Sequence, residues 1–308
     1  MPELVCLGEP LLEFSSQERD GKTFYLQGYG GDTSNCAIAA ARQGASVGYV
    51  TAVGDDAFGR EFLRLWRNEG VDASAVTVDP VAPTGIYFIT YANGEHEFSY
   101  RRAGSAASLM APRTLPLDAI RQAKILHVSG ISQAISDSAC DAVFSAIGAA
   151  REAGVRISYD TNLRLKLWPI ERARAVTHAA MAMADIALPG LDDARQLTGL
   201  EDPDAIVDFY LALGPTTVVL TMGADGTLVA TADRRERVAS LKVSAVDATA
   251  AGDMFDGAFL ARLLAGDDVV AAATYANAAA ALSTLGHGAV APMPKAEAVR
   301  RALAEGIA

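Results

Sequence analysis

Short apolar runs alternate along the chain with longer, alanine-rich stretches of helical period. The runs are Leu4-Val5-Cys6-Leu7, Ser46-Val47-Gly48-Tyr49-Val50, Ile125-Leu126-His127-Val128, Val155-Arg156-Ile157-Ser158-Tyr159, Ile186-Ala187-Leu188 and Thr217-Val218-Val219-Leu220. This alternation predicts βαβ units on a mostly parallel sheet, an α/β architecture. Between the second and third runs, Phe58, Phe62 and Trp66 recur at i, i+4 and i+8, so Asp56 to Gly70 is expected to be a helix with its aromatics in the core and Gly70 as C-cap.

One stretch breaks the rhythm. From Thr84 to Arg101, two β-rich runs, Gly85 to Tyr91 and His96 to Tyr100, flank Asn93-Gly94, a strong hairpin signal. An antiparallel hairpin inside a parallel chain suggests a small accessory sheet. The segment after Leu11 has similar extended character, so segments of about 11–30 and 84–102 are expected to form a β lid over one end of the main sheet. No repeat or Pro/Ser-rich linker divides the chain, and residues 1–308 are read as a single domain.

Composition narrows the function. The 308 residues are 51% apolar and 20% charged, with a formal net charge of −11 and no long Lys/Arg run, which argues against a nucleic-acid surface. An anionic ligand must then be held locally, against the global field. Cys6, Cys36 and Cys140 are widely spaced with no CxxC pair, so neither a disulfide framework nor a zinc site is suggested, and a reducing, cytoplasmic setting is expected. Met1-Pro2-Glu3-Leu4 lacks a basic leader, and the apolar tracts are interrupted by polar residues, so neither a signal peptide nor a membrane span is read.

Two segments carry candidate chemistry. In Val246-Asp247-Ala248-Thr249-Ala250-Ala251-Gly252-Asp253, small residues open a helix expected to reach about Ala265. Unpaired amides at such a start favour anions, so Ala250, Ala251 and Gly252 could approach phosphate oxygens, and Asp253 could accept a proton from an attacking hydroxyl. The same residues read equally as a helix start, with Asp253 complementing the dipole and Asp247 as a cap. In Gly28-Tyr29-Gly30-Gly31-Asp32-Thr33-Ser34-Asn35, glycines allow close backbone approach, and Asp32 and Asn35 can bond hydroxyls; a loop leading to a helix cap is the alternative. The Rossmann pattern fails because Thr33 stands where its third glycine belongs, and a P-loop fails because Ser16 precedes Gly21-Lys22-Thr23 where its first glycine belongs.

Together these segments resemble the signatures of the PfkB/ribokinase family of carbohydrate kinases. Gly30-Gly31, Asn35, Ala37, Gly44 and Gly54 match the N-terminal signature, and Asp247 to Asp253 match the C-terminal one, with Ala248 where Thr or Pro is usual. The resemblance implies a ribokinase-like three-layer fold and ATP-dependent phosphorylation, with Asp253 as catalytic base and the amides of Ala250, Ala251 and Gly252 as anion hole. It implies ATP and Mg2+, with K+ as a further ion. ATP is expected beside Thr221, Gly223 and Gly226, with Asn277 near the adenine. The family's Asn-x-x-Glu appears as Gly190-Leu191-Asp192-Asp193, leaving Asp193 to orient water around magnesium. The lid is expected to pair with another subunit's lid in a homo-oligomer.

Within the family, Gly8-Glu9-Pro10, the segment Tyr100 to Ala107, His127 to Ile131 and Asp160 to Trp168 look most like a kinase acting on 2-keto-3-deoxygluconate. Tyr87, Tyr100, Arg102, Ile131 and Arg164 are then expected around this sugar acid, and Gly31, Asp32 and Asn35 at its hydroxyls. An arginine can grip a carboxylate bidentately, whereas Arg101 reads as a solvated strand end. The alternatives are a family kinase for fructose, ribose or a nucleoside, and a catalytically weak ligand-binding homologue.

Overall fold

The computed structural model describes residues 1–92 and 95–305. The Asn93-Gly94 turn expected from the sequence lies outside the described residues. The chain enters a main sheet through β1 (Leu4–Leu7), then leaves it for the lid strands β2 (Leu11–Arg19) and β3 (Lys22–Gly30). It returns through α1 (Asp32–Arg42) to β4 (Val47–Gly54), followed by α2 (Ala57–Glu69) and the short strands β5 (Val71–Asp72) and β6 (Val76–Asp79). A second lid excursion supplies β7 (Ile86–Ala92) and β8 (Glu95–Arg101).

From there the alternation is regular: α3 (Leu117–Arg121), β9 (Ile125–Ser129), α4 (Gly130–Ala134), α5 (Asp137–Glu152), β10 (Arg156–Asp160), α6 (Ile170–Met181), β11 (Ile186–Leu188), α7 (Leu191–Thr198), α8 (Pro203–Leu213) and β12 (Thr217–Thr221). The strands β13 (Thr227–Thr231) and β14 (Arg235–Val238) precede three closing helices, α9 (Ala251–Leu264), α10 (Val269–Ser283) and α11 (Ala296–Glu305).

The main sheet has the order β14-β13-β12-β11-β10-β9-β1-β4-β5, with β6 also on β4. Pairs from β12 to β5 are parallel, while β13 and β14 add antiparallel edges. Alternating side chains sort the strands into two cores. Leu4 and Cys6 face α1, α2, α9 and α10, whereas Val5 and Leu7 face α5, α6 and α8. The expected aromatic helix is α2: Phe62 and Trp66 are fully buried and stacked at 5.3 Å, Phe58 is half-buried, and Gly70 caps it at φ 77°.

The smaller sheet has the order β3-β2-β7-β8; β2 is antiparallel to β3 and parallel to β7, and β7 is antiparallel to β8. Phe14 stacks on Phe88 at 5.5 Å and meets Phe58 of α2 edge-on at 5.8 Å, which packs the lid against the main body. Asp56 reinforces this junction. Its carboxylate caps α2 by accepting from Gly59 N and also accepts from the Thr84 amide and hydroxyl at 2.8 and 2.9 Å.

Helices α1 and α9 cross closely because both contribute small residues. A Cβ on Gly257 would lie 2.6 Å from Ala39 Cβ and 2.7 Å from Ala40 N. Overpacking of this kind costs roughly 1–3 kcal/mol, so Gly257→Ala is expected to lower the urea midpoint of the protein correspondingly. Unchanged unfolding would show that the two helices are free to move apart.

Candidate active site

Parallel strands deliver their C-terminal ends to one edge of the sheet, where open α/β folds collect ligands. Here Glu9 follows β1, Ser129 and Asp160 end β9 and β10, Asp193 opens α7 after β11, and Thr221 ends β12. The chain pairs β1 with β4 on one side and with β9 on the other, which creates a crevice between neighbouring crossovers. Asp32 spans that crevice: Ser129 Oγ donates to Asp32 Oδ2, and Asn162 Nδ2 approaches the same oxygen at 3.4 Å.

The two glycine-rich segments meet there. Helix α1 begins at Asp32, earlier than the alanine-rich run alone suggested, so Asp32 and Asn35 both lie in its first turn. Asn35 Nδ2 donates to Asp253 Oδ2 at 2.8 Å, from the first turn of α1 to the first turn of α9. Asp32 Oδ1 and Asn35 Oδ1 are buried without a hydrogen-bond partner among the described residues. Such orphaned acceptors are costly unless a ligand donates to them, and hydroxyl groups are suitable donors.

Burial and the nearby Asp32 charge push the Asp253 carboxyl up to about 7, against the opposing pull of Asn35 and Arg164. Burial raises Asp32 as well, with Ser129, the Thr33 amide, Arg164 and Arg102 pulling it back. Asp160 and Asp256 are pushed well up, first by burial and then by neighbouring carboxylates. Crowded carboxylates in a desolvated crevice resist simultaneous ionisation, so one of them is poised to exchange a proton near neutral pH.

The helix start contains a correction. The Ala251 amide donates to the Ala248 carbonyl at 3.1 Å, so it is not among the open donors expected there. Gly252 and Asp253 amides have no backbone acceptor among the described residues and are available to an anion. Ala250 adopts φ 59°, the left-handed region natural to glycine, which orients this start at some cost in strain. Asp247 anchors the preceding turn by accepting from the Thr249 amide and hydroxyl and from the Gly288 amide.

The sugar-side candidates come from the lid strands and from the segments that follow β3, β8, β9 and β10. Gly31 sits at φ 101°, and a Cβ there would be 2.8 Å from Pro10 Cα, so this close backbone crossing requires glycine. Tyr87 is buried, stacks on Tyr100 at 5.6 Å and donates its hydroxyl to Glu13, while Tyr100 is more exposed. Ile131 is half-buried in α4. Arg101 is exposed; Arg102 turns inward, pairs with Glu9 and lies over Tyr100 at 5.5 Å. Arg164 is exposed, donates to the Leu163 carbonyl at 2.8 Å and has no ion-pair partner among the described residues. Glu13 was absent from the residues expected at the site, and Glu9 was noted only within Gly8-Glu9-Pro10; an acidic residue beside the apolar runs Leu4 to Leu7 and Leu11-Leu12 was the available signal, and both carboxylates are buried.

The nucleotide-side candidates surround the β12–β13 turn. Thr221 pairs with Thr227 of β13 and its amide donates to Pro189 O at 2.9 Å, and Gly223 and Gly226 both adopt positive φ in the turn. Asn277 is buried with Nδ2 committed to Val238 O at 3.0 Å and Thr227 Oγ1 at 3.2 Å, so it braces this region from α10. Asp193 Oδ2 accepts from the Leu163 amide at 2.7 Å and thereby holds the loop that carries Arg164.

Comparison with known proteins matches this architecture. The profile described as pfkB family carbohydrate kinase covers residues 1–296. A 2-dehydro-3-deoxygluconokinase of Thermoproteus tenax is 38% identical over 291 residues, 92% of this chain and 88% of that protein. A probable chloroplastic fructokinase-6 of Arabidopsis thaliana is 35% identical over 321 residues, covering 99% and 83%. The crystal structure of a putative ribokinase II from E. coli in complex with ATP and Mg2+ superposes with a TM-score of 0.91 at 26% identity, covering 99% of this chain and 100% of that one.

The Asp253 carboxyl keeps its proton to about pH 7 in the folded protein, whereas an unfolded aspartate loses it near pH ~4. Its stabilising contribution is therefore full below that lower value and is lost as pH rises through about 7. Asp253→Asn cannot titrate, so its melting temperature relative to the parent is expected to rise between pH 5 and pH 8. Parallel melting curves across that range would contradict the desolvated carboxyl.

Proposed function

The chain belongs to the pfkB family of carbohydrate kinases and is an ATP-dependent sugar kinase, and we propose that its substrate is 2-keto-3-deoxygluconate, phosphorylated to 2-keto-3-deoxy-6-phosphogluconate. The observation that carries this reading is the presence of two guanidinium groups beside an acidic crevice: Arg102 is held by Glu9 against the Tyr100 ring, and Arg164 sits on the loop that Asp193 holds, and both favour the charged form of buried Asp32. A neutral sugar requires no such cations; a sugar acid does. The similarity to the Thermoproteus enzyme supports the same substrate. Fructose is the second reading, favoured by the pairing of Arg102 with Glu9 and by the similarity to the Arabidopsis fructokinase.

In this reading Asp32, Asn35 and the backbone at Gly31 bind sugar hydroxyls, filling the orphaned acceptors. Tyr87, Tyr100 and Ile131 form the walls, and Arg102 and Arg164 face the carboxylate. Asp253 takes the proton from the terminal hydroxyl as the hydroxyl oxygen bonds the γ-phosphorus of ATP, while the bond from that phosphorus to the β–γ bridging oxygen breaks and ADP leaves with the electron pair. The open amides of Gly252 and Asp253 bind the negative charge that develops during transfer. Mg-ATP supplies the electrophilic γ-phosphoryl group. The residues present fit it: Thr221, Gly223 and Gly226 offer a tight turn with little side-chain bulk, Asn277 holds that turn, and Asp193 is a half-buried carboxylate able to bond metal-bound water. Lid closure would exclude water from the transfer.

The lid also supports self-association. Phe24, Tyr25 and Leu26 are 52%, 49% and 64% exposed on β3, more apolar surface than one lid strand needs to leave bare. We therefore read a homo-oligomer joined lid to lid. Leu26→Asp should shift the mass measured by light scattering to that of the monomer. The three free, buried cysteines support a reducing, cytoplasmic setting.

ADP release with Mg-ATP should favour 2-keto-3-deoxygluconate over fructose, ribose and adenosine. Asp253→Asn is expected to lose roughly 100-fold to 10,000-fold in kcat, the usual contribution of a positioned base. In the parent, kcat/KM should rise with pH through about 7, because only the ionised carboxylate accepts the proton. Preference for a neutral sugar would remove the sugar-acid reading while leaving the kinase in place.

A further inference from the structure

Resting on the sugar-acid reading, we infer that Glu9 is a positioning and specificity-determining residue: it holds the Arg102 guanidinium and cancels its charge, leaving Arg164, which makes no ion pair among the described residues, as the cation that a sugar acid meets. Glu9 lies just beyond β1 and is 1% exposed. Its Oε2 accepts from Arg102 Nε at 2.8 Å and from Nη2, and its Oε1 accepts from Ser105 Oγ at 3.0 Å. Both oxygens are thus fixed by the chain that leaves β8. The Tyr100 ring lies against the guanidinium and limits its rotation further.

The energetic order follows from burial. A carboxylate removed from water is strongly destabilising unless a cation compensates it, so the protein itself requires the Arg102 charge before any substrate arrives. From the pocket the pair is close to neutral. Arg102 can still offer Nη1, which has no hydrogen-bond partner among the described residues, but as a held hydrogen-bond donor equally suited to a hydroxyl or a carboxylate. Arg164 differs: it is exposed, sits on a loop held by Asp193, and is paired with no carboxylate among the described residues. Discrimination between charged and neutral sugars therefore falls to Arg164, and the Glu9–Arg102 pair sets how much further positive charge the pocket presents.

The test is a double-mutant cycle on the full chain, reading KM and kcat separately for 2-keto-3-deoxygluconate and fructose. Arg102→Gln alone removes the cation that favours ionised Glu9, so the acid-to-neutral KM ratio should rise roughly tenfold at alkaline pH and less at acidic pH, where the buried carboxyl takes up a proton. Glu9→Gln alone exposes the Arg102 charge and should lower that ratio roughly fivefold. The double variant Glu9→Gln with Arg102→Gln removes both charges, retains similar volume, and should return the ratio to within about threefold of the parent. Arg164→Gln should raise the ratio and should not be rescued by Glu9→Gln.

A double variant as impaired toward the acid as Arg102→Gln would overturn the inference, since Arg102 would then be contributing an uncancelled charge. A merely structural clamp would move both sugars alike and leave the ratio unchanged in every variant, which also overturns it. If the parent prefers fructose, the sugar-acid reading fails on its own, and the cycle is read from gluconate as a competitive inhibitor against fructose. Its inhibition constant must follow the same order across the variants for the charge cancellation to stand.

Discussion

The hydrogen bond from Asn35 to Asp253 links residues 218 positions apart and joins the first turns of two helices. Everything at the site depends on the close crossing of α1 and α9 that permits it. Small side chains, above all Gly257 against Ala39 and Ala40, let the helix starts converge at the C-terminal edge of the parallel sheet. Two helix N-termini then face one crevice. Each contributes unpaired amides and a partial positive charge, which is why aspartates can be tolerated there despite burial.

That tolerance is incomplete, and the incompleteness is useful. Asp32, Asp160, Asp253 and Asp256 all have carboxyls raised by burial, and the charge of Asp32 raises the other three further. The proposed role of Asp253 as proton acceptor uses this compromise: a fully solvated carboxylate is too weak a base near neutral pH, and one buried without Asn35 and Arg164 would hold its proton too firmly. The acidic protein thus concentrates its few inward-facing cations where they moderate carboxylates. The lid participates through the same economy, because Asp56 and Glu9 tie its entry and exit to the main body by charge-assisted hydrogen bonds.

The alternation of apolar runs with helical stretches was sufficient to anticipate the parallel sheet, because a strand buried on both faces cannot contain many polar residues. The α2 helix was legible from Phe58, Phe62 and Trp66, and the lid strands from β-rich runs that interrupted the regular rhythm. The segments around Asp32 and Asp253 were legible because helix starts that approach ligands need small residues and acids in a recognisable order. Less legible was the local geometry within them. Nothing in the run of alanines distinguishes the Ala251 amide, which turns back to Ala248, from the Gly252 amide, which remains open.

Sequence alone therefore determined the α/β class, the small accessory sheet and the family, since these depend on local periodicity and short motifs. Tertiary structure decided which charges remain available. Glu9 and Arg102 lie 93 positions apart, and Glu13 and Tyr87 lie 74 apart. An ion pair or a hydrogen bond between distant residues leaves no spacing pattern in the chain; it exists only once two strands and a lid bring the groups together and exclude the water that would otherwise separate them.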